Sequence, residues 1–231
     1  MANGQGLSRK LAQISRRLLR DVLHPRHHLL RQLKGVIHVG AHKGQERDDY
    51  AKYGFNVLWI EPIPWLFEEL KDMISSYPNQ RALEYLVLDR DDQTSTLHVS
   101  NNEGGSSSVM DLALHKDMWP SVRFTKDLEM RSYKLDTILE REHVDLSSYD
   151  GLILDTQGSE LLILKGADRV LRRVKMVEIE VADFEAYAGC PNPAQIAEHL
   201  SRYGLTEWMR TPFARHKTSG GRYYDITYVR D

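Results

Sequence analysis

From Gly35 onward the chain alternates short apolar or β-branched runs with longer amphipathic stretches, and few folds accommodate that rhythm. The short runs, at 36–39, 57–60, 82–88, 152–154, 176–181, 205–209 and 224–229, are bounded by turn residues and read as strands. The stretches 45–53, 64–75, 135–140, 160–172 and 193–203 carry apolar residues at helical spacing. Such alternation predicts an α/β fold, a mostly parallel sheet of seven strands with helices on both faces. Between the last two runs the chain offers Ser219, Gly220 and Gly221 but no helix. Those two strands are therefore predicted to pair as a C-terminal antiparallel hairpin.

The first 34 residues differ from the remainder, and the boundary predicts a basic helical extension (1–34) followed by one domain (35–231). The extension holds Arg9, Lys10, Arg16, Arg17, Arg20, Arg26, Arg31 and Lys34 against one acid, Asp21. Leu7, Leu11, Ile14, Leu18 and Val22 recur at steps of three and four, the period of an amphipathic helix. Such a helix either packs its apolar face on a core or lies on an anionic membrane or a partner. Its arginines interrupt every early apolar run, which argues against a secretory signal. No later stretch approaches the ~20 apolar residues of a membrane span, so a cytoplasmic protein is expected. The formal net charge of −2 gives no global attraction to nucleic acid, and no nucleic-acid partner is expected. The single cysteine, Cys190, excludes an intrachain disulfide and a cysteine-based zinc site. Homo-oligomerisation is left open.

The segment from Val36 to Glu46 runs from a strand through a small-residue turn, Gly40-Ala41-His42-Lys43-Gly44, into a helix. Gly40 and Gly44 allow a sharp turn and a close backbone approach by a ligand. A dinucleotide-binding turn has a second glycine where this chain has His42, and a pyrophosphate needs that space. S-adenosylmethionine carries no pyrophosphate, and a looser turn suffices for its amino-acid and ribose parts. Glu61 follows Gly40 by twenty-one residues, closes the second strand and precedes Pro62. An acid at that spacing accepts hydrogen bonds from ribose hydroxyls. The candidate cofactor-binding residues are therefore His38, Gly40, Ala41, Gly44, Glu61, Pro62, Asp89 and Asp155. Asp89, at the end of the third run, is the candidate partner for an adenine amino group.

Three segments make the sequence recognisable: Ile37 to Gly44, Trp59-Ile60-Glu61-Pro62, and Asp155-Thr156-Gln157-Gly158-Ser159-Glu160 with Leu164-Lys165-Gly166-Ala167. Together with Tyr133 to Leu139 and Val177-Glu178-Ile179-Glu180-Val181, they resemble the FkbM family of methyltransferases. The resemblance runs from about Gly35 to Val181. It implies a Rossmann-like methyltransferase sheet and O-methylation by S-adenosylmethionine of a saccharide, glycan or related natural product. His42 stands where the family often has Asn, and Thr156 where an apolar residue is common.

For chemistry, Asp155 ends the fourth strand at the carboxyl edge, where ligands bind in open α/β sheets. It can hold the cofactor's amino group, orient an acceptor hydroxyl or cap the next helix. Glu178 and Glu180 alternate along the fifth strand and share a face. Glu180, nearer the carboxyl end, joins Asp155 as a candidate catalytic residue, and the pair is a candidate Mg²⁺ site. His38, His42, His98 and His115 are too scattered to name a general base. The segment between Ser106 and Arg131, opening on Gly104-Gly105-Ser106-Ser107-Ser108, is expected to be a lid or acceptor loop. Tyr187 and Cys190 follow the fifth strand without a motif. Two other functions fit parts of the pattern: an NAD-type oxidoreductase, and a non-catalytic domain that kept the fold.

Overall fold

The computed structural model describes residues 25–230, with side chains from residue 27. Contacts divide the chain into two compact units, residues 1–33 and residues 34–231. In the first, the described part is a short helix, α1 (Pro25–Leu30). The amphipathic helix expected over 7–22 lies outside the described residues.

The second unit is an α/β sandwich built on a seven-stranded sheet of order β3-β2-β1-β7-β8-β10-β9. Its strands are β1 (Gly35–Val39), β2 (Asn56–Ile60), β3 (Gln80–Leu83), β7 (Gly151–Leu154), β8 (Met176–Ala182), β9 (Leu205–Arg215) and β10 (Arg222–Arg230). β1, β2, β3, β7 and β8 are parallel, whereas β10 runs antiparallel to both β8 and β9. The sheet is thus mostly parallel with a C-terminal antiparallel hairpin, as the alternation predicts. Ile37, Leu58, Leu152, Val177 and Ile179 are buried in the core, as expected of strands covered on both faces.

Helix α2 (Arg47–Tyr53) stops at Gly54, whose left-handed φ of 73° lets its N–H bond back to the Ala51 carbonyl. Helix α3 (Pro64–Ile74) has a proline at its first position and buries Leu66, Leu70 and Ile74. After β1 the chain leaves to β2 on one side, while β7 lies on the other. The carboxyl ends of β1 and β7 therefore open a crevice, the usual ligand position in such sheets.

Three expectations need correction. The run 82–88 is not one strand: β3 ends at Leu83, and β4 (Leu86–Val87) belongs to a second sheet of order β4-β6-β5. The segment expected as a loop contains α4 (His115–Met118) and most of β6 (Phe124–Tyr133), which pairs antiparallel with β5 (Gln93–Ser100). β5 and β6 are rich in Ser, Thr and charged residues, and half their faces meet solvent, so they lack the apolar runs that mark the main strands. The side that does pack places Leu97 and Val99 against Ile63 and Leu66.

The stretch 160–172 is also two helices, α6 (Glu160–Lys165) and α7 (Asp168–Leu171), following α5 (Leu135–Arg141). They break at Gly166, where an added Cβ would sit 2.6 Å from the Leu88 carbonyl oxygen. The Asp136 carboxylate then caps α7, accepting from Arg169 N at 2.7 Å and Val170 N at 3.2 Å. Helix α8 (Pro193–Ser201) starts on an Asn192–Gln195 capping box.

Candidate active site

A cavity of about 330 Å³ opens at the carboxyl ends of β1, β2 and β7, within the ~300–1,000 Å³ of small-ligand pockets. Its floor is the turn after β1. Gly40 has φ of 83°, and a Cβ there would lie 1.9 Å from the Asp155 carbonyl oxygen, so this position requires glycine. The turns after β1 and β7 are thereby pressed together beneath the cavity.

Glu61 stands at one wall, only 3% exposed. Its Oε2 accepts from His42 N at 2.8 Å and its Oε1 from Ile63 N at 3.0 Å. Each carboxylate oxygen keeps one acceptor position for a ligand. Burial pushes the Glu61 carboxyl up to about 7, against the pull of these two N–H groups. Pro62 and Ile63 continue the same wall, and Tyr85, Leu86 and Val87 bring in the second sheet.

His38 also borders the cavity. Its Nδ1 lies 3.1 Å from Tyr50 Oη and its ring packs against Trp59 at 5.0 Å. Burial lowers its pKa to about 3, so the imidazole is neutral.

Over the cavity lies the turn containing Asn102, Glu103, Gly104 and Gly105. His42 holds it from below: Gln45 Nε2 is 2.9 Å from His42 Nδ1, and His42 Nε2 is 2.9 Å from the Glu103 carbonyl oxygen. With Gln45 donating to Nδ1, the Nε2 proton is the one that His42 donates to the Glu103 carbonyl. Lys43 adds ion pairs to Glu103 (2.9 Å) and Glu69 (3.0 Å). His42, Glu103 and Gln157 all have positive φ, at 48°, 58° and 55°. They are three of the five non-glycine residues so placed among the described residues, and all three border the cavity. Clustering of this kind marks ligand sites, where surrounding structure sustains the strain.

Asp155 lies across the cavity from this wall and is open to it. Enclosure by the walls raises its carboxyl pKa, and hydrogen bonding to Gln157 opposes that rise. Glu180 does not border the large cavity; it lines a second, much smaller pocket with Glu160, Tyr187, Cys190 and Tyr223. Burial raises the Glu180 carboxyl, and the neighbouring Asp155 raises it further. The two carboxyls do meet, but through Gln157: its Nε2 donates to Asp155 Oδ1 at 2.7 Å and to Glu180 Oε1 at 3.0 Å. An amide NH₂ thus sits where the sequence reading put Mg²⁺. Among the described residues no group of three His, Cys, Asp or Glu side chains could hold a metal ion.

Two of the candidate cofactor residues lie away from the cavity. Gly44 does not line it, because its Cα faces the core and a Cβ would meet Leu70 Cδ1 at 2.7 Å. It serves turn geometry (φ 65°) and helix packing instead. Asp89 is also absent from the lining, since β3 ends six residues earlier, at Leu83, and Tyr85–Val87 form the wall in its place.

Glu160 is 1% exposed, and its Oε1 accepts from Thr156 N, Thr156 Oγ1 and Gly158 N at 3.0–3.1 Å. It holds the turn after β7 in shape. His115 is buried between Tyr223 Oη (2.7 Å from Nδ1) and Ser106 Oγ (3.2 Å from Nε2), and burial lowers its pKa to about 4. His98 pairs with Asp127 at 2.7 Å on the second sheet. Neither histidine borders the cavity. Sequence reasoning missed the Tyr85–Val87 wall and the role of Gln157; the small-residue run at 104–108 was the visible sign of the roof. Among the described residues no helix is long and apolar enough to cross a membrane.

A family model described as the methyltransferase FkbM domain matches residues 38–205. The chain is 24% identical over 162 residues to the 2-O-methyltransferase NoeI of Sinorhizobium fredii (strain NBRC 101917 / NGR234), an alignment covering 67% of this chain and 65% of that protein. The chain therefore spans a little under two thirds of that relative. Among solved structures it is similar to magnesium protoporphyrin IX methyltransferase (ChlM) from Synechocystis PCC 6803 with bound SAM, with a TM-score of 0.47 and 13% identity over 85% of this chain and 69% of that one. It is also similar to the N-methyltransferase NodS from Bradyrhizobium japonicum WM9, with a TM-score of 0.46 and 8% identity over 90% and 96% of the two chains.

Proposed function

The chain belongs to the FkbM methyltransferase domain family, and from that premise we propose that it is an S-adenosylmethionine-dependent O-methyltransferase acting on a hydroxyl of a saccharide, glycan or related natural product. The observation that carries this reading is the convergence of Gly40, Glu61 and Asp155 on one cavity at the sheet's switch point. The residues present fit the cofactor. Glu61 has two acceptor positions left for ribose hydroxyls, the glycine turn admits close approach, and Ile63, Leu86, Val87 and Leu97 supply an apolar wall for a base. Bound there, S-adenosylmethionine supplies an electrophilic methyl group on a sulfonium sulfur.

The chain's own contribution is placement and exclusion of water. The roof tied down by His42 and Lys43 encloses the cavity, and Asp155 offers a carboxyl to a cationic amino group. An attacking hydroxyl must give up its proton as its oxygen bonds to carbon. Of the two candidate carboxyls only Asp155 borders the cavity, so it is the one placed to take that proton; Glu180, raised to about 9, holds its own proton at neutral pH. The name of the 2-O-methyltransferase relative supports oxygen as the acceptor atom, and the saccharide class rests on the family resemblance. Thermal melting tests the cofactor: S-adenosylhomocysteine is expected to raise the melting temperature and NAD to leave it unchanged. Mass spectrometry of a glycan panel incubated with labelled S-adenosylmethionine tests the acceptor. Stabilisation by NAD alone would overturn the reading.

A further inference from the structure

Gln157 lies in the turn after β7 with φ of 55°, a left-handed conformation that a glutamine adopts at a cost. Gln157 borders both the large cavity and the smaller pocket beside it. Tyr187 Oη donates to its Oε1 at 2.7 Å, while its Nε2 donates to Asp155 and Glu180. Its backbone carbonyl accepts from Ser108 Oγ at 2.7 Å. The tyrosine's single proton goes to this nearer acceptor, the Ser106 carbonyl being 3.4 Å away. Turned round, the amide would point its oxygen at two carboxyls, so the tyrosine and the acids together fix one orientation. Among the described residues Gln157 is the side chain seen to donate to Asp155, and it takes only Oδ1. Oδ2 is left for a ligand.

We propose that Gln157 is a positioning residue of the cofactor site: its amide, oriented by Tyr187, holds the Asp155 carboxylate so that Oδ2 meets the amino group of the cofactor's amino-acid part. The proposal rests on reading the large cavity as the S-adenosylmethionine site. It explains why the turn keeps a strained glutamine there. A shorter side chain would not reach both acids, and a third carboxylate in place of the amide would repel them.

The test is calorimetric titration of the full chain with S-adenosylhomocysteine, which keeps the amino group and needs no acceptor. Gln157→Met retains length and volume without the amide; it is expected to weaken binding about tenfold, the lower end for a charge-assisted hydrogen bond. Tyr187→Phe is expected to weaken it about threefold, because the amide is then free to turn. The double variant should bind no more weakly than Gln157→Met alone. A merely structural role would lower the melting temperature and leave the dissociation constant within twofold of wild type, and that result overturns the proposal. If Gln157→Met does not fold, unchanged affinity in Tyr187→Phe overturns it. Wild-type protein that fails to bind the probe has a different signature and removes the cofactor reading along with the proposal.

Discussion

Replacing Glu61 by alanine is the most direct perturbation of the cavity. Its two oxygens each hold one backbone N–H, from His42 and Ile63, which leaves one acceptor position on each for a ribose hydroxyl. Hydrogen bonds to a charged group contribute about 1.5–3 kcal/mol apiece. Two of them at the lower end sum to about 3 kcal/mol, so the variant should bind S-adenosylhomocysteine roughly a hundredfold more weakly at pH 8. The pH dependence carries its own sign. In the free protein the carboxyl is raised by burial to about 7, and hydroxyl donors favour its ionised form. Binding therefore releases a proton near neutrality, and affinity rises with pH up to about 8, by at most about tenfold per pH unit. Glu61→Gln keeps one backbone acceptor but cannot ionise, so it should lose this pH dependence and show an intermediate affinity. The assay is calorimetric titration at pH 6, 7 and 8, with melting curves to establish that each variant is folded. A folded alanine variant that binds within threefold of wild type would refute the placement of ribose at Glu61.

Two further perturbations separate turn geometry from burial. Gly40→Ala forces a Cβ onto the Asp155 backbone at positive φ, and should cost about 3 kcal/mol and abolish ligand binding. Gly54→Ala also has positive φ but meets nothing within 4 Å, and should cost only about 1 kcal/mol in a urea titration; equal losses would contradict the crowding argument. Glu160 is raised by burial from 4.5 to about 7, so the folded state holds its proton over a range where the unfolded chain has lost it. Its contribution to stability is present below about pH 4.5 and lost as pH rises through 7, a swing of about 3 kcal/mol in total. Glu160→Gln should flatten the fall in urea midpoint between pH 5 and pH 8 relative to wild type, and an unchanged slope would count against a buried, proton-holding Glu160.

The centre of the main sheet was legible in the sequence because β1 and β7 are buried on both faces, and double burial writes continuous apolar runs such as Val36 to Val39 and Leu152 to Leu154. The second sheet was not, because β5 and β6 bury one side and expose Thr94, Glu129 and Arg131 on the other. Within the cavity, Gly40, Glu61 and Asp155 announced themselves by sitting at strand ends with the spacing of a nucleoside site. Gly44 shares the motif but faces Leu70, since sequence spacing cannot say which glycine turns to ligand and which to core. Asp89 fell with the strand it was thought to end. Gln157 escaped notice because an amide between two acids declares its purpose only when Asp155 and Glu180, twenty-five residues apart, come together on neighbouring strands.

The cavity's lower and upper halves have separate origins. The main sheet supplies Gly40, Glu61 and Asp155, while the segment 85–109, which carries two strands of the small sheet and the turn after β5, supplies Tyr85, Leu97, Glu103 and Val109. Each half has its own backbone hydrogen bonding, and a few side chains such as His42 and Lys43 fasten one to the other. Variation in the upper half would alter the apolar wall that Leu86, Val87 and Leu97 give the cavity while leaving Gly40, Glu61 and Asp155 in place on the main sheet. In a chain built this way, part of the cavity wall can change without rebuilding the parallel sheet beneath it.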